Sequence, residues 1–333
     1  MNKEKKNLLS LIDNFAQKKI AVWGDLILDE YIIGTTRRIS REAPVLILSY
    51  KNKELSLGGA GNSVLNIKAL GAHPLPVGVI GADDPGKKII RLLKQEGIST
   101  EYLLIDKDYQ TPIKTRILAG EETTKKQQIL RIDREEKVPD SSALKQKIQK
   151  NLKSIRGKIS ALLISDYNYF TVKEDVFNQI LPEFKKKNIP VTLDSRFRLL
   201  NFKGITFSSP NEPEVEHVLQ IEINDNPQLL DQAGRLLLRK TRATALLITR
   251  GSKGMVLFEK NKTPSSIPIH GTADIVDVTG AGDTVISVST LALASGATFK
   301  RAALLANYAG GIVVMKKGTA SLTPQELRKV IVS

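Results

Sequence analysis

The sequence predicts one α/β domain over residues 1–333, a three-layer α/β/α sandwich with a mostly parallel central sheet and a small lid of β-strands. Three observations support this fold. Apolar runs rich in β-forming residues alternate with helical patterns through most of the chain, which is typical of βαβ units. No repeat of solenoid period and no low-complexity linker divides the chain. The 333 residues are 41% apolar, which is enough to fill a large core.

Apolar patterning predicts the elements of this sandwich one by one. A first buried strand is predicted over 19–28, and a helix follows the glycine-rich turn near residue 59, over 59–70. The next elements are predicted as strand 75–80, helix 85–96, strand 160–165, helix 172–187, strand 189–193 and strand 243–249. The C-terminal third is predicted to be nearly all helix, over 281–294, 299–315 and 323–332.

Two regions, 31–51 and 111–133, break this alternation. Both show strand patterns with polar interruptions and contain no helical pattern. Ligands of open α/β sheets bind beyond the carboxyl ends of the strands. We therefore predict that these inserted strands fold over that edge as a lid.

The composition excludes several kinds of site and partner. The chain has no cysteine, which excludes disulfides, thiolate catalysis and cysteine-bound metals, and its three histidines are far apart. The net charge is +15, but the basic residues are spread along the chain and aromatic residues are only 5%. This pattern favours a surface that attracts small anionic substrates over a nucleic-acid interface. With no signal-peptide pattern and no apolar stretch of about 18 residues, we expect a cytoplasmic protein without membrane contacts.

The densest chemical signal is the run DVTGAGDT at 277–284, which leads into an apolar helix. Gly280, Ala281 and Gly282 allow close backbone approach, and the amides at a helix N-terminus favour an anion. Asp283 stands where it could take a proton from a hydroxyl while those amides hold the phosphoryl group that moves onto it. The structural alternative is an aspartate that caps a helix after a glycine turn.

The run 81–88 nearly matches the phosphate-binding pattern GxxxxGK[ST]. The position that requires a hydroxyl is Lys88, however, and Asp83 and Asp84 within the loop would repel phosphate. We therefore predict a strand-to-helix connection here.

Five motifs in order along the chain resemble those of the ribokinase-like (PfkB) carbohydrate kinases. DVTGAGDT resembles the C-terminal signature of that family, and the other four motifs are GD at 24–25, LGGAGN at 57–62, NEPE at 211–214 and TRGSKG at 249–254. The resemblance covers roughly residues 18–330. It implies a ribokinase-like fold and ATP-dependent phosphoryl transfer to a sugar hydroxyl.

The resemblance also implies a role for each motif. Asp283 would be the general base, assisted by the amides of Gly280, Ala281 and Gly282. The sugar would be held by Asp25, Gly58, Gly59 and Asn62. ATP would contact Asn211, Glu214, Thr249, Gly251, Gly254 and Asn307. Glu214 would hold Mg²⁺ through water, and K⁺ is expected near Asp277, Thr279, Gly318 and Ser321. The alternatives are that Asp25 is a turn residue and that Asn211 and Glu214 only cap a helix.

Further segments resemble one branch of the family, the bacterial D-glycero-D-manno-heptose-7-phosphate kinases. They are RISREAPV at 38–45, QQILRID at 127–133, SDY at 165–167 and KGT at 317–319. Such a kinase makes a heptose 1,7-bisphosphate for ADP-heptose and lipopolysaccharide synthesis, and we expect a homodimer through the lid. The chain departs from that branch at 168–170, where Asn-Tyr-Phe replaces x-Lys-Gly, and at 194–196, where Asp-Ser-Arg replaces Asp-Pro-Lys. No HxGH motif is present, so no adenylyltransferase domain is expected within the chain.

Arginines of the predicted lid indicate a sugar that carries a phosphate at its far end. They are Arg37, Arg38, Arg41, Arg116 and Arg131, of which we expect Arg38, Arg116 and Arg131 to bind the substrate. The alternative is that they pair with Glu42, Glu121, Glu122 or Asp133. Two other functions remain open: a fructokinase, ribokinase or nucleoside kinase with the same machinery, and a catalytically idle sugar-binding regulator.

Overall fold

The structure, a computed structural model, describes residues 3–121, 126–271, 276–316 and 318–333. Nine strands of these residues form the central sheet: β1 (Lys19–Gly24), β4 (His73–Gly81), β5 (Leu103–Asp106), β8 (Ala161–Asp166), β9 (Val191–Ser195), β10 (Phe207–Ser208), β11 (Ala245–Thr249), β12 (Met255–Glu259) and β13 (Ser265–Ile267). Their spatial order is β13-β12-β11-β10-β9-β8-β1-β4-β5. Only the pairs β11–β12 and β12–β13 are antiparallel. The prediction of a mostly parallel sheet is confirmed.

Helices cover both faces of this sheet because its central strands are apolar on both sides. One face packs against α1 (Lys3–Asp13), α2 (Ala60–Ala69), α3 (Asp84–Gln95), α8 (Ala281–Ala294), α9 (Phe299–Val313) and α10 (Pro324–Val332). The other face packs against α4 (Ser142–Ile155), α5 (Glu174–Lys186), α6 (Glu212–Leu219) and α7 (Pro227–Thr241). These three layers confirm the predicted α/β/α fold class.

A second, smaller sheet forms the lid. Its strands are β2 (Leu26–Ile39), β3 (Leu46–Gly59), β6 (Ile113–Gly120) and β7 (Gln127–Arg134), in the order β3-β2-β6-β7. The strands β2 and β3 extend further toward the central sheet than the predicted lid segment 31–51. Residues 122–125, which include Glu122, lie outside the described residues.

The chain passes from the central sheet into the lid at Asp25. The sequence predicted one strand over 19–28, but β1 ends at Gly24 and the residues from Leu26 onward pair within the lid. The N–H of Asp25 donates to the carbonyl of Ser165 on β8 (3.1 Å), and the carbonyl of Asp25 accepts from Ala60 at the start of α2 (2.9 Å). This switch places the base of the lid over the carboxyl ends of the central strands.

Several elements of the structure were not predicted from the sequence, among them β5, β12, β13 and α4. The three strands are short, so each offers little alternation from which to predict it. Helix α4 carries a clear helical spacing of buried residues at Leu144, Ile148, Leu152 and Ile155, so its signal is present in the sequence.

The stretch at 81–88 is the strand-to-helix connection that was predicted. Asp83 caps α3 by accepting the N–H of Gly86 (3.0 Å), and its carboxylate also accepts the N–H (3.0 Å) and hydroxyl (2.7 Å) of Thr111. A carboxylate committed to these donors is unsuited to a phosphate loop.

Helix α8 is apolar on all sides and buried over most of its length, packed between the sheet and the helices α2 and α9. This burial explains its pattern, since a helix that is apolar all round requires neighbours on every side. Within the part of the chain that the structure describes, every helix is too short or too polar to cross a bilayer.

Candidate active site

The carboxyl ends of β1, β8 and β9 meet the base of the lid around a cavity of about 80 Å³. Eight of the predicted site residues line it: Gly58, Gly59, Asn62, Arg116, Arg131, Thr279, Gly280 and Asp283. Six further residues line it that were not predicted as site residues: Ile27, Asp29, Lys114, Tyr167, Arg196 and Thr319. An adjoining pocket of about 450 Å³ shares Lys114, Arg131, Tyr167 and Arg196 with it. The two together form a cleft with Asp283 at its narrow end.

Asp283 lies in the first turn of α8 and is buried. Its Oδ2 accepts a hydrogen bond from Asn62 Nδ2 (2.7 Å), and its Oδ1 accepts from the hydroxyls of Tyr167 (3.0 Å) and Ser63 (3.3 Å). Burial raises the pKa of Asp283, while the hydrogen bonds from Asn62 and Tyr167 and the charge of Arg196 oppose that rise. A buried carboxylate with a raised pKa beside a cavity has the properties of a general base.

The turn before α8 requires glycine at position 280. Gly280 has a left-handed φ of 78°, and a Cβ there would lie 2.6 Å from Asn62 Nδ2. Ala281 and Gly282 then begin the helix, so its positive dipole end faces the cavity beside Asp283. This geometry suits an anionic group.

Asp25 does not line the cavity. It is 1% exposed, and its carboxylate accepts backbone hydrogen bonds from Tyr167 (2.8 Å), Tyr169 (3.0 Å) and Thr171 (2.9 Å). Burial, together with the neighbouring charge of Asp166, raises the pKa of Asp25 to about 6 despite these hydrogen bonds. The predicted sugar-binding role of Asp25 therefore lacks support in the geometry, since its acceptors already serve the loop at 167–171.

Asp29, four residues further along, is the carboxylate that faces the cavity from this segment. It is buried on β2 next to Gly58, where a Cβ would lie 2.5 Å from Asp29 Oδ2. A side chain at position 58 would therefore displace the Asp29 carboxylate. Gly58, Gly59 and Asn62, which were predicted to hold the sugar, form one wall of the cavity together with Asp29, which takes the place predicted for Asp25.

The cationic side chains of the cavity are partly paired. Arg116 forms a buried ion pair with Asp29 (2.6 Å), and Arg131 pairs with Asp133 (2.9 Å). The pairing of Arg131 is the structural alternative considered for it, whereas the partner of Arg116 was not foreseen. Arg38 is exposed near the outer end of β2 and does not line the cavity, so the structure does not bring it together with Arg116 and Arg131.

The motifs predicted to bind the nucleotide lie near one another, at the same edge of the sheet as this cavity. Asn211 and Thr249 are joined by a parallel bridge, with the N–H of Thr249 donating to the carbonyl of Pro210 (3.0 Å). Gly251 and Gly254 have left-handed φ values of 55° and 78° in the turn after β11. Asn307 on α9 donates to the carbonyl of Pro268 (2.9 Å), which fixes the segment after β13.

Asn211 and Glu214 form a reciprocal capping box at the start of α6. The side chain of Asn211 accepts the N–H of Glu214 (2.8 Å), and Glu214 Oε2 accepts the N–H of Asn211 (2.9 Å). This capping role is the structural alternative that the sequence left open, and it does not exclude contact with ATP.

Two carboxylates near the nucleotide motifs fit a hydrated divalent cation. Burial raises the pKa of Asp194 well above its usual range, and the charge of Glu214 adds to the rise. Burial likewise raises the pKa of Glu214. Within the described residues no three acidic or histidine side chains converge on one point. A Mg²⁺ ion here would therefore take most of its ligands from water and phosphate, which it tolerates well.

Three of the four residues predicted to surround K⁺, namely Asp277, Thr279 and Gly318, lie together at the loop before α8. Asp277 accepts the N–H groups of Thr279 (2.9 Å) and Gly318 (3.0 Å), and these bonds outweigh burial and lower its pKa. The carbonyl of Ser321 accepts from the ammonium of Lys316 (2.8 Å). The neighbouring Lys317 lies outside the described residues.

Tyr167 and Arg196 are functional candidates that the sequence analysis did not select. The Arg196 guanidinium lies over the Tyr167 ring, 4.6 Å from its centroid. Burial lowers the pKa of Arg196, but the nearby Tyr167, Asp194 and Asp283 outweigh this effect and raise it. Both residues stand just beyond the carboxyl end of a central strand, β8 and β9 respectively. That position is the signal that could have identified them.

Comparison with known proteins identifies the family to which the chain belongs. The pfkB family carbohydrate kinase profile matches residues 17–326. The bifunctional protein HldE of Geobacter metallireducens is 37% identical over 325 residues, and HldE of Haemophilus ducreyi is 37% identical over 320 residues. These alignments cover 97% and 95% of this chain but only 65% and 64% of the relatives.

Solved structures share the fold at lower sequence identity. Arabidopsis thaliana ribokinase complexed with ribose and ATP superposes with a TM-score of 0.72 at 21% identity, covering 94% of this chain and 98% of that one. Phosphofructokinase-2 from Escherichia coli in complex with fructose-6-phosphate superposes with a TM-score of 0.75 at 17% identity, covering 95% and 98%. The chain therefore belongs to the pfkB family of carbohydrate kinases and is an ATP-dependent sugar kinase.

Proposed function

We propose that this kinase transfers the γ-phosphoryl group of ATP to a sugar that already carries a phosphate at its far end. The supporting observation is that four cationic side chains line the same narrow cavity as Asp283: Lys114, Arg116, Arg131 and Arg196. Of these, Arg196 forms no ion pair with any described carboxylate, and Arg131 is half exposed toward the cleft. Guanidinium groups bind phosphate bidentately, whereas an uncharged sugar gives them no such partner.

Within this class we propose D-glycero-D-manno-heptose 7-phosphate as the acceptor and the 1,7-bisphosphate as the product, a precursor of ADP-heptose and lipopolysaccharide. The similarity to HldE proteins supports this choice. The pocket of about 450 Å³ that continues the cleft offers room for a seven-carbon chain with its phosphate. Because ATP and sugar phosphates are cytoplasmic metabolites, we also propose that the protein acts in the cytoplasm.

In the proposed reaction, Asp283 accepts the proton of the acceptor hydroxyl. The N-terminal end of α8 at Gly280–Gly282 stabilises the negative charge on the transferring phosphoryl group. Asn211, Glu214 and the turn at Thr249–Gly254 hold ATP, with Asn307 fixing a neighbouring segment. When bound, Mg²⁺ would neutralise phosphate charge at Glu214 and Asp194, and K⁺ would support the loop at Asp277.

A panel of acceptors tests the substrate. ATP consumption should be measured with heptose 7-phosphate, fructose 6-phosphate, fructose, ribose and a nucleoside, and ³¹P NMR should locate the new phosphate. We expect the highest kcat/KM with heptose 7-phosphate and phosphorylation at C1. A preference for any unphosphorylated sugar over both sugar phosphates would contradict the proposal but not the kinase activity.

We further propose that the lid joins two copies of the chain. Its β7 is an edge strand, and the lid carries exposed apolar side chains at Ile39, Val45, Leu46, Tyr50, Ile129, Leu130 and Ile132. Such a surface beside an open strand edge is typical of an interface. Light scattering should give the mass of a dimer, and Ile132→Lys should shift it toward a monomer. A monomeric wild-type protein at high concentration would exclude this assembly.

A further inference from the structure

Three hydrogen-bond donors contact the carboxylate of Asp283, and together they restrict its rotation. Asn62 occupies Oδ2, while Tyr167 and Ser63 share Oδ1. An ionised carboxylate offers about four lone-pair positions, so roughly one remains for an incoming hydroxyl. The donors therefore determine which lone pair of Asp283 stays open.

Tyr167 reaches Asp283 from a loop that is itself tightly held. Its N–H donates to Asp25 (2.8 Å), and the same carboxylate accepts from Tyr169 and Thr171. From the other side, the guanidinium of Arg196 covers the ring of Tyr167. The backbone and the ring of Tyr167 are thus both held in place, and together they fix the position of its hydroxyl.

The conformation of this loop is strained. Asn168 and Phe170 have left-handed φ values of 68° and 66°, and they alternate with the three residues whose N–H groups converge on Asp25. This arrangement is similar to the backbone nests that hold anions. A left-handed conformation is unusual for a bulky residue such as phenylalanine, and strain of this kind persists where the surroundings enforce it and clusters at functional sites. Phe170 stands where the resemblance leads one to expect glycine, and Arg198 lies over its ring at 4.4 Å.

We propose that Tyr167 is a positioning residue for Asp283. Its hydroxyl fixes the rotation of the carboxylate so that the open lone pair faces the wall formed by Gly58, Gly59 and Asp29. Asp25 acts indirectly, because it accepts the backbone hydrogen bonds that hold the loop carrying Tyr167. The inference rests on the proposed role of Asp283 as general base, and it assigns Asp25 to the loop instead of the sugar.

Tyr167→Phe tests the proposal, since phenylalanine keeps the ring and its contact with Arg196. With heptose 7-phosphate and fructose 6-phosphate as acceptors, kcat should fall by about tenfold, the effect of one lost hydrogen bond to a charged group. KM for ATP should stay unchanged. The acidic limb of kcat/KM should move to higher pH, because a hydrogen bond to the ionised form has been lost. The other charged groups that face Asp283, namely Arg196, Asp194 and Glu214, remain in both proteins.

Tyr102→Phe is the matched control, because it removes the hydroxyl of another mostly buried tyrosine, next to the edge strand β5, and should leave all three readouts unchanged. Wild-type kcat and pH dependence in Tyr167→Phe would overturn the proposal. Faster turnover would also overturn it, since it would mean that the hydroxyl obstructs the acceptor. If Asp283→Asn is inactive while Tyr167→Phe is normal, only the positioning role fails. If Asp283→Asn is fully active, the proposed base itself fails.

Discussion

Asn62 Nδ2 donates a 2.7 Å hydrogen bond to Asp283 Oδ2, although the two residues are 221 positions apart in the chain. Asn62 lies in the first turn of α2, which follows the lid strand β3, and Asp283 lies in the first turn of α8. The contact joins the proposed sugar-binding turn to the proposed catalytic turn. Because both groups are buried, the bond holds the carboxylate in one orientation beside the cavity.

Replacement of Asp283 by asparagine should lower kcat by about 10²–10⁴-fold, the usual contribution of a general base. The change is nearly isosteric, so ATP binding measured by calorimetry should remain close to that of the wild type. A purified variant that turns over at the wild-type rate would remove Asp283 from the mechanism.

The pH dependence of kcat/KM should report the buried carboxylate. Burial raises the pKa of Asp283 in the folded protein, and only the ionised form accepts a proton. Activity should therefore be full above that pKa and should fall as the pH decreases through it, at a pH above the ordinary aspartate value of about 3.9. Initial rates at constant ionic strength would show this limb. A flat profile down to pH of about 4 would contradict the expected shift.

Arg131→Ala should raise KM for heptose 7-phosphate by about three- to tenfold and leave KM for ATP unchanged, because the lost contact is with the acceptor alone. Arg131 is preferred to Arg116 for this test, since removing Arg116 would leave the buried Asp29 without its partner. Arg235→Ala on α7, where Arg235 pairs with Asp231, is the control and should change neither constant. Equal KM values for Arg131→Ala and the wild type would remove Arg131 from the phosphate site.

Asp25→Ala should lower the free energy of unfolding by about 2–4 kcal/mol, because backbone N–H groups of Tyr167, Tyr169 and Thr171 lose their acceptor. Urea denaturation followed by circular dichroism measures this change. Asp108→Ala, at an exposed turn, should lie within about 0.5 kcal/mol of the wild type. If Asp25→Ala were as stable as that control, the stability of the loop would not depend on its hydrogen bonds to Asp25.

Chelation by EDTA should abolish turnover, and added Mg²⁺ should restore it, because the cation neutralises charge on the transferred phosphoryl group. Replacement of K⁺ by tetramethylammonium should lower activity while the circular dichroism spectrum stays the same. Turnover that persists in excess EDTA would exclude a divalent cation, and equal rates in both salts would exclude a required K⁺.

The parts of the site that could be predicted from the sequence alone are the motifs whose residues are contiguous in the chain. The glycine turn at 280–282, Asp283, the turn at 57–62 and the alternating strands and helices each depend on residues close together in the chain. Their local geometry follows from helix N-termini, from left-handed glycine and from apolar spacing. For this reason the fold class and the position of Asp283 at a helix N-terminus agree with the structure.

The tertiary structure decided which of two nearby aspartates faces the cavity and which side chains complete the site. Asp25 and Asp29 are equally polar in the sequence, but the chain changes sheets between them, so Asp25 turns to the loop at 167–171 and Asp29 to the cavity. Tyr167 and Arg196 join the site because parallel strands that are distant in sequence end at the same edge of the sheet. Local pattern cannot specify such contacts, since they depend on how strands that are distant in the chain are ordered in space, as in the 142-residue separation of Asp25 and Tyr167.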